Sequence, residues 1–157
     1  MARGVRRQGR EIALKVLYSL VDHEGGSMEK VLQDFWGNFR FRNDVLGETS
    51  EEPDQDINPQ VRAFAERLIC GVGEHLEGLD KAIGDCSTSW SLDRMARVDL
   101  ALLRLAVFEL LYCPDVPHNV IINEAIELGK RFGTEETPAF VNGVLDQIAK
   151  KVRPVRP

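Results

Sequence analysis

Three observations predict an all-α fold for this chain. Apolar residues recur at spacings of three and four almost throughout, and alternating β-branched runs are missing. The punctuation is helical too: Asn58-Pro59, Gly133 and Thr137-Pro138 are start and stop signals. About seven helices with short loops are expected, in one domain spanning residues 1–157, long enough to bury a sizeable core. Apolar residues make up 43% and charged residues 29% of the chain, as in ordinary globular proteins.

The first helix is read from about Arg7, with Ile12, Ala13, Val16, Leu17 and Leu20 on one face. A turn at His23 to Gly26 follows, with Ser27 as N-cap. Met28, Val31, Leu32, Phe35, Trp36 and Phe39 give a second helix with a bulky aromatic face. Residues 40–56, acidic around Pro53, read as a surface loop. Asn58-Pro59 places a capping side chain before a proline at the first helical position. One long apolar stripe then runs from Val61 to Leu79, interrupted by Gly71 and Gly73, which weaken the helix or admit another backbone. Ser91 is a candidate cap for a short helix carrying Asp93 and Arg94, near a connection that holds Trp90 and Leu92.

Val98 to Tyr112 is apolar on most sides, which predicts a central helix surrounded by others. Asp99, Arg104 and Glu109 interrupt it and exclude a simple membrane span. Pro114 and Pro117 end it. A helix from about Val120 to Phe132 stops at Gly133, and Thr137-Pro138 starts the last, with Phe140, Val141, Val144, Leu145 and Ile148 on its core side. Residues 152–157 read as a loose tail. No charged-then-apolar leader opens the chain, and Cys70, Cys86 and Cys113 are odd in number and widely spaced. A cytoplasmic protein without disulfides or a membrane anchor is expected.

Charge is distributed unevenly. The first fifteen residues hold Arg3, Arg6, Arg7, Arg10 and Lys15 against Glu11, a local charge of +4, while the whole chain carries −5. A basic cluster on an acidic protein points to a local anionic partner, for which the phosphates of RNA or DNA are the leading chemistry. On a helical wheel the apolar face of the first helix centres near about 190° and the arginines fall between about 240° and 340°. Tyr18 lies almost opposite the apolar face, where a base could stack on it while Arg6, Arg7, Arg10 and Lys15 meet phosphates. A solvated tyrosine beside a frayed basic terminus is the plainer account. On the phosphate assignment, Arg10→Ala flattens the salt dependence of binding.

No catalytic constellation is evident. His23, His75 and His118 are scattered, none has metal-ligand spacing with a cysteine, and neither a phosphate-cradling glycine loop nor a G-x-S-x-G elbow occurs. No metal or cofactor is expected, and the cysteines read as small core residues. Asn123, Glu124, Asn142 and Gly143 stand out inside helical segments. They fit close packing at Gly143 with asparagines satisfying buried backbone groups, or direct ligand contact; the packing account is favoured.

Three separated motifs resemble one family. Asp115-Val116-Pro117, Ile122-Asn123-Glu124-Ala125-Ile126-Glu127-Leu128, Lys130, Phe132-Gly133 and Phe140-Val141-Asn142-Gly143-Val144-Leu145-Asp146 are similar to the NusB family of bacterial transcription antitermination factors. Arg6, Arg7, Arg10-Glu11, Ala13 and Leu17-Tyr18 match its opening pattern, and Leu103-Arg104, Ala106 and Glu109-Leu110 its middle. The resemblance runs from about Arg6 to about Lys150 and is weakest at 40–56. It implies two packed helical subdomains and a non-catalytic RNA-binding adaptor. Such proteins bind boxA RNA of nascent ribosomal transcripts together with NusE, a ribosomal small-subunit protein. The pair joins RNA polymerase with NusA and NusG.

The family's basic motif maps onto Arg6, Arg7 and Arg10 and its RNA-facing aromatic onto Tyr18. Gln8 and Gly9 interrupt that basic run, and Gly129 stands where alanine is common. The resemblance makes Asp93 and Asp99 candidates for the NusE contact, although Asp99 equally complements the dipole of its own helix. Glu136 is a further candidate for that contact; it and Phe140, near the start of the last helix, also border the expected RNA edge, and Phe140 equally fits the core. Two other functions compete. A NusB-like domain is similar to the N-terminal part of certain RNA cytosine methyltransferases, but a chain running to Pro157 is expected to leave no room for the catalytic domain or for S-adenosylmethionine. A protein–protein adaptor, with its basic arm incidental or masked in a homodimer, is the other.

Overall fold

Seven α-helices and one 3-10 turn make up the regular structure of the computed structural model, which describes residues 3–21, 28–38, 57–87 and 90–153; no strand occurs among them. The helices are α1 (Arg3–Leu20), α2 (Met28–Asn38), α3 (Pro59–Glu74), α4 (Leu76–Cys86), α5 (Arg97–Tyr112), α6 (His118–Phe132) and α7 (Thr137–Val152), with the 3-10 turn at Leu92–Arg94. The turn after the first helix, the Ser27 cap, Phe39 and the loop at 40–56 lie outside the described residues.

α5 is the central helix. Its side chains are buried on nearly every side, Leu100 to Leu103 and Leu105 to Leu110 among them, and it packs on α1, α3, α4, α6 and α7. An apolar stripe all the way round demands this position, because no face of such a helix gains by meeting water. One continuous hydrophobic core joins residues of α1, α3 and α4 to those of α5, α6 and α7. α1 packs most extensively on α3 and also on α5, so the spatial grouping crosses the connection at 39–56.

The predicted caps are partly realised. The Asn58 side chain accepts from the Gln60 N–H at 2.8 Å, with Pro59 opening α3. Ser91 precedes the 3-10 turn but makes no capping bond. The stripe from Val61 to Leu79 is two helices, broken at His75, whose N–H closes α3 onto the Gly71 carbonyl at 3.1 Å. Gly71 admits a side chain: a Cβ there would stand 2.1 Å from Cζ of Phe108. Beyond it the His75 ring stacks on exposed Tyr112, centroids 4.0 Å apart.

Two joints fix the C-terminal helices. Thr137, fully buried, accepts from the Thr134 N–H at 3.0 Å and donates to Asp99 Oδ1 at 2.7 Å, tying the start of α7 to the first turn of α5. Gly133 makes room for it, since a Cβ there would lie 2.5 Å from Thr137 Oγ1. At the other end, Arg153 donates to the carbonyls of Leu110 (3.0 Å), Glu109 (3.2 Å), Cys113 (2.8 Å) and Val116. It thereby satisfies the Leu110 carbonyl, whose intrahelical donor position falls on Pro114, while the Glu109 and Cys113 carbonyls also accept from the N–H groups of Cys113 and Val116. Of the expected loose tail at 152–157, Val152 ends α7 and Arg153 is this clamp; 154–157 lie outside the described residues.

The packing account of Asn142-Gly143 is overturned. Asn123 and Asn142 are exposed, and a Cβ on Gly143 would meet nothing within 4 Å. These residues face outward because Ile121, Ile122 and Ala125 supply the core side of α6, and Val141, Val144 and Leu145 that of α7. Cys86 and Cys113 are buried, Cys70 is half-buried, and none is in a disulfide; burial pushes the Cys113 thiol up from its ordinary value.

Candidate nucleic-acid interface

α1 does not present one simple basic face. Because it packs on both α3 and α5, its buried arc includes Leu14 and Arg10 in addition to Ile12, Ala13, Val16 and Leu17. A wheel that assumes one neighbouring surface puts Arg10 in solvent; two neighbours enclose it. The arginines consequently separate into different environments.

Arg10 is a correction to the phosphate assignment. It is 3% exposed, and its Nε donates to both carboxylate oxygens of Glu109 at 3.1 Å while Nη2 donates to Oε1 at 2.8 Å. Glu109, 2% exposed, sits in the apolar body of α5. The two charges compensate each other where neither meets water, so Arg10 offers no free edge of its guanidinium to solvent here.

Arg6 and Arg7 remain at the surface, each on a support. The Arg6 guanidinium lies 5.8 Å from the centre of the Phe64 ring, and Arg10 approaches the same ring at 5.7 Å. Phe64 can sit there because position 9 is glycine: a Cβ would come within 2.6 Å of its Cδ2. The gap in the basic run is thus the seat of the aromatic ring that Arg6 lies over. Arg7 makes a bidentate pair across to α6, Nε to Glu124 Oε2 at 3.2 Å and Nη2 to Oε1 at 2.9 Å. That hydrogen-bonded partnership raises the Arg7 pKa further above its ordinary value.

A groove of about 270 Å³ separates α1 from α6, with Arg7, Glu11, Glu124 and Arg131 among its lining. Arg131 Nη1 donates to Glu11 Oε1 in a second rung across it. Burial pushes the Glu11 carboxyl up from its ordinary value, against the opposing pull of Arg131.

Tyr18 is a partial correction. It is half-buried against the core, and the guanidinium of Arg97 stands 5.1 Å from its ring centre. Tyr18 therefore already carries a cation on its ring, where the wheel put it almost opposite the apolar face. Lys15 is half-buried on the same helix.

The acidic candidates fall on separate elements. Asp99 is half-buried and accepts the Thr137 hydroxyl, a structural role added to its place in the first turn of α5. Glu136 is exposed one residue before Thr137, the hydroxyl donor to Asp99. Asp93 is exposed on the 3-10 turn, and a hydrogen bond from Ser91 holds its carboxyl below the ordinary value. Phe140 packs half-buried against the core. Among the described residues no cluster of three or more His, Cys, Asp or Glu side chains could hold a metal, and no helix is long and apolar enough to cross a membrane.

Sequence reasoning passed over Phe64, Arg97, Glu109 and Arg131. For Glu109 a signal existed, since a lone carboxylate inside an all-round apolar helix needs a buried cation. Arg104, on the same helix, poses the converse requirement for an anion and meets it with a bidentate pair to Asp80 at 2.8 and 2.9 Å.

The model of the NusB family matches residues 7–150. The transcription antitermination protein NusB of Syntrophotalea carbinolica is 59% identical over 156 residues, covering 99% of this chain and 98% of that protein. Among solved structures, NusB of T. maritima superposes with a TM-score of 0.75 at 36% identity, over 95% of this chain and 93% of that one. A chain from a crystal structure of antitermination factors NusB and NusE in complex with dsRNA matches with a TM-score of 0.73 at 24% identity, over 96% and 99%, a likeness of fold.

Proposed function

The chain belongs to the NusB family, and on that premise we propose that it is a non-catalytic cytoplasmic adaptor that binds boxA-type RNA of nascent ribosomal transcripts together with NusE. In this reading the RNA–protein pair joins RNA polymerase, with NusA and NusG, to suppress termination. The observation that carries the reading is the mounting of Arg6 and Arg7: each guanidinium stays at the surface while Phe64 or Glu124 supports it. Side chains held in this way lose less rotamer entropy on meeting a phosphate than free ones. Lys15 and Tyr18 lie further along α1 and extend the RNA surface, Tyr18 by stacking from the face opposite Arg97. Arg10 supports that surface from within and makes no phosphate contact. Asp93, Asp99 and Glu136 supply acidic groups suited to a basic ribosomal protein.

Fluorescence anisotropy of a labelled boxA-type RNA and a scrambled control, with and without NusE, tests the reading. A preference for boxA that sharpens when NusE is added is expected. Equal, weak binding to both RNAs with no effect of NusE would overturn it.

A further inference from the structure

The two rungs across the α1/α6 groove are reciprocal. α1 supplies the cation of one, Arg7 to Glu124, and the anion of the other, Glu11 to Arg131. Counted by formal charge the rungs are neutral and give no reason for an anion to approach. Depth breaks that balance. The side chains of Arg7 and Arg131 are 43% and 45% exposed, whereas those of Glu124 and Glu11 are 13% and 18% exposed. In both rungs the guanidinium is the outer layer and the carboxylate the inner. The Lys130–Glu127 pair in the same groove lacks this layering, its partners being 61% and 59% exposed.

A guanidinium has five N–H donors in a planar fork, and a carboxylate below it occupies one edge. The remaining donors serve an oxygen approaching from outside; at Arg7 the bidentate carboxylate also fixes the plane they lie in, while Glu11 holds Arg131 through Nη1. Two outward guanidiniums lining one groove can each take a phosphate oxygen of a single strand.

We propose that Arg131 is a phosphate contact of the same surface as Arg7, and that Glu124 and Glu11 are positioning residues holding these guanidiniums outermost for a single-stranded RNA segment. The inference rests on the RNA-binding reading above and adds α6 to the surface that α1 provides.

The test is anisotropy of boxA-type RNA across a salt series for wild type, Arg131→Ala, Glu124→Gln, Arg7→Ala and the double variant Arg7→Ala/Glu124→Gln, each with a thermal melt. Arg131→Ala is expected to weaken binding and to flatten the slope of log K against log salt by about 0.7, the share of one phosphate on a single strand. For Glu124→Gln, simple electrostatics predicts tighter binding, because an acidic group leaves the surface. Positioning predicts the opposite, a weakening of about threefold or more that vanishes in the Arg7→Ala background. Glu124→Gln binding as tightly as wild type or tighter, an unchanged slope for Arg131→Ala, or a further loss in the double variant beyond Arg7→Ala overturns the inference while leaving the RNA-binding reading intact. Failure of the wild-type protein to bind the RNA overturns that reading and the inference with it.

Discussion

Arg7 and Arg10 stand three positions apart on α1, and each forms a multidentate pair with a glutamate far along the chain. Their surroundings divide their roles. Arg10 and Glu109 are enclosed by the core, while Arg7 keeps 43% of its side chain in water above a carboxylate that is only 13% exposed. The same chemistry is a structural tie in one place and a mounted, accessible cation in the other. Residue type and spacing do not separate the two; the number of helices packed around each position does.

The sharpest way to break this comparison is to remove one member of the inner pair. Arg10→Ala leaves Glu109 buried without its cation, and a loss of about 3–5 kcal/mol is expected in urea denaturation. Replacing both partners with apolar residues, Arg10→Met with Glu109→Leu, is expected to recover most of that loss. In variants that stay folded, the salt slope of RNA binding is unchanged, since no phosphate contact has gone. A flattened slope would return Arg10 to the RNA surface.

Arg7→Ala should invert the pattern. The melting transition stays near that of wild type, because a solvent-exposed cation contributes little to stability. RNA affinity falls roughly fivefold and the slope drops by about 0.7. A large stability loss with unchanged RNA binding would make Arg7 a second Arg10.

The smallest effect concerns Glu11 and sharpens the comparison through pH. Its folded pKa lies above the ordinary 4.5, because burial outweighs the pull of Arg131. The folded state therefore holds the proton more tightly than the unfolded chain. That contribution to stability is fully present below the unfolded value and is lost as pH rises through the folded one. Glu11→Gln should melt slightly above wild type at neutral pH, with the difference closing by about pH 4. Thermal melts across that window check the sign.

The helices were legible because their signals are local. Apolar spacing marks α5 as central, Asn58-Pro59 starts α3, and Thr137-Pro138 starts α7 whatever lies beside them. The candidate site was legible as a basic segment with a tyrosine, but its internal order was not. Arg10 and Leu14 fall on the supposed solvent arc of α1, and only a second neighbouring helix buries them. The reason for Gly71 is the Phe108 ring of α5, which no window on α3 and α4 contains. Asn142-Gly143 read as a packing motif because glycine inside a helix usually marks close approach, yet here it is open to water. For Arg10, Leu14 and Gly71 the deciding partner lies on another helix; for Asn142-Gly143 no partner is there at all.

The Arg153 clamp has a bearing on the order in which the molecule is made. The carbonyls it engages, from Glu109 to Val116, are synthesised well before Arg153 itself. A nascent chain that has released α5 but not α7 carries its most apolar helix with that end untied, and with Thr137 not yet bonded to Asp99. The first helix can dock on α3 by then, but the centre of the molecule must wait for its last helix. Completion of the core is therefore a late event in synthesis, and a stalled ribosome short of α7 would display an aggregation-prone α5 to the chaperones that meet emerging chains.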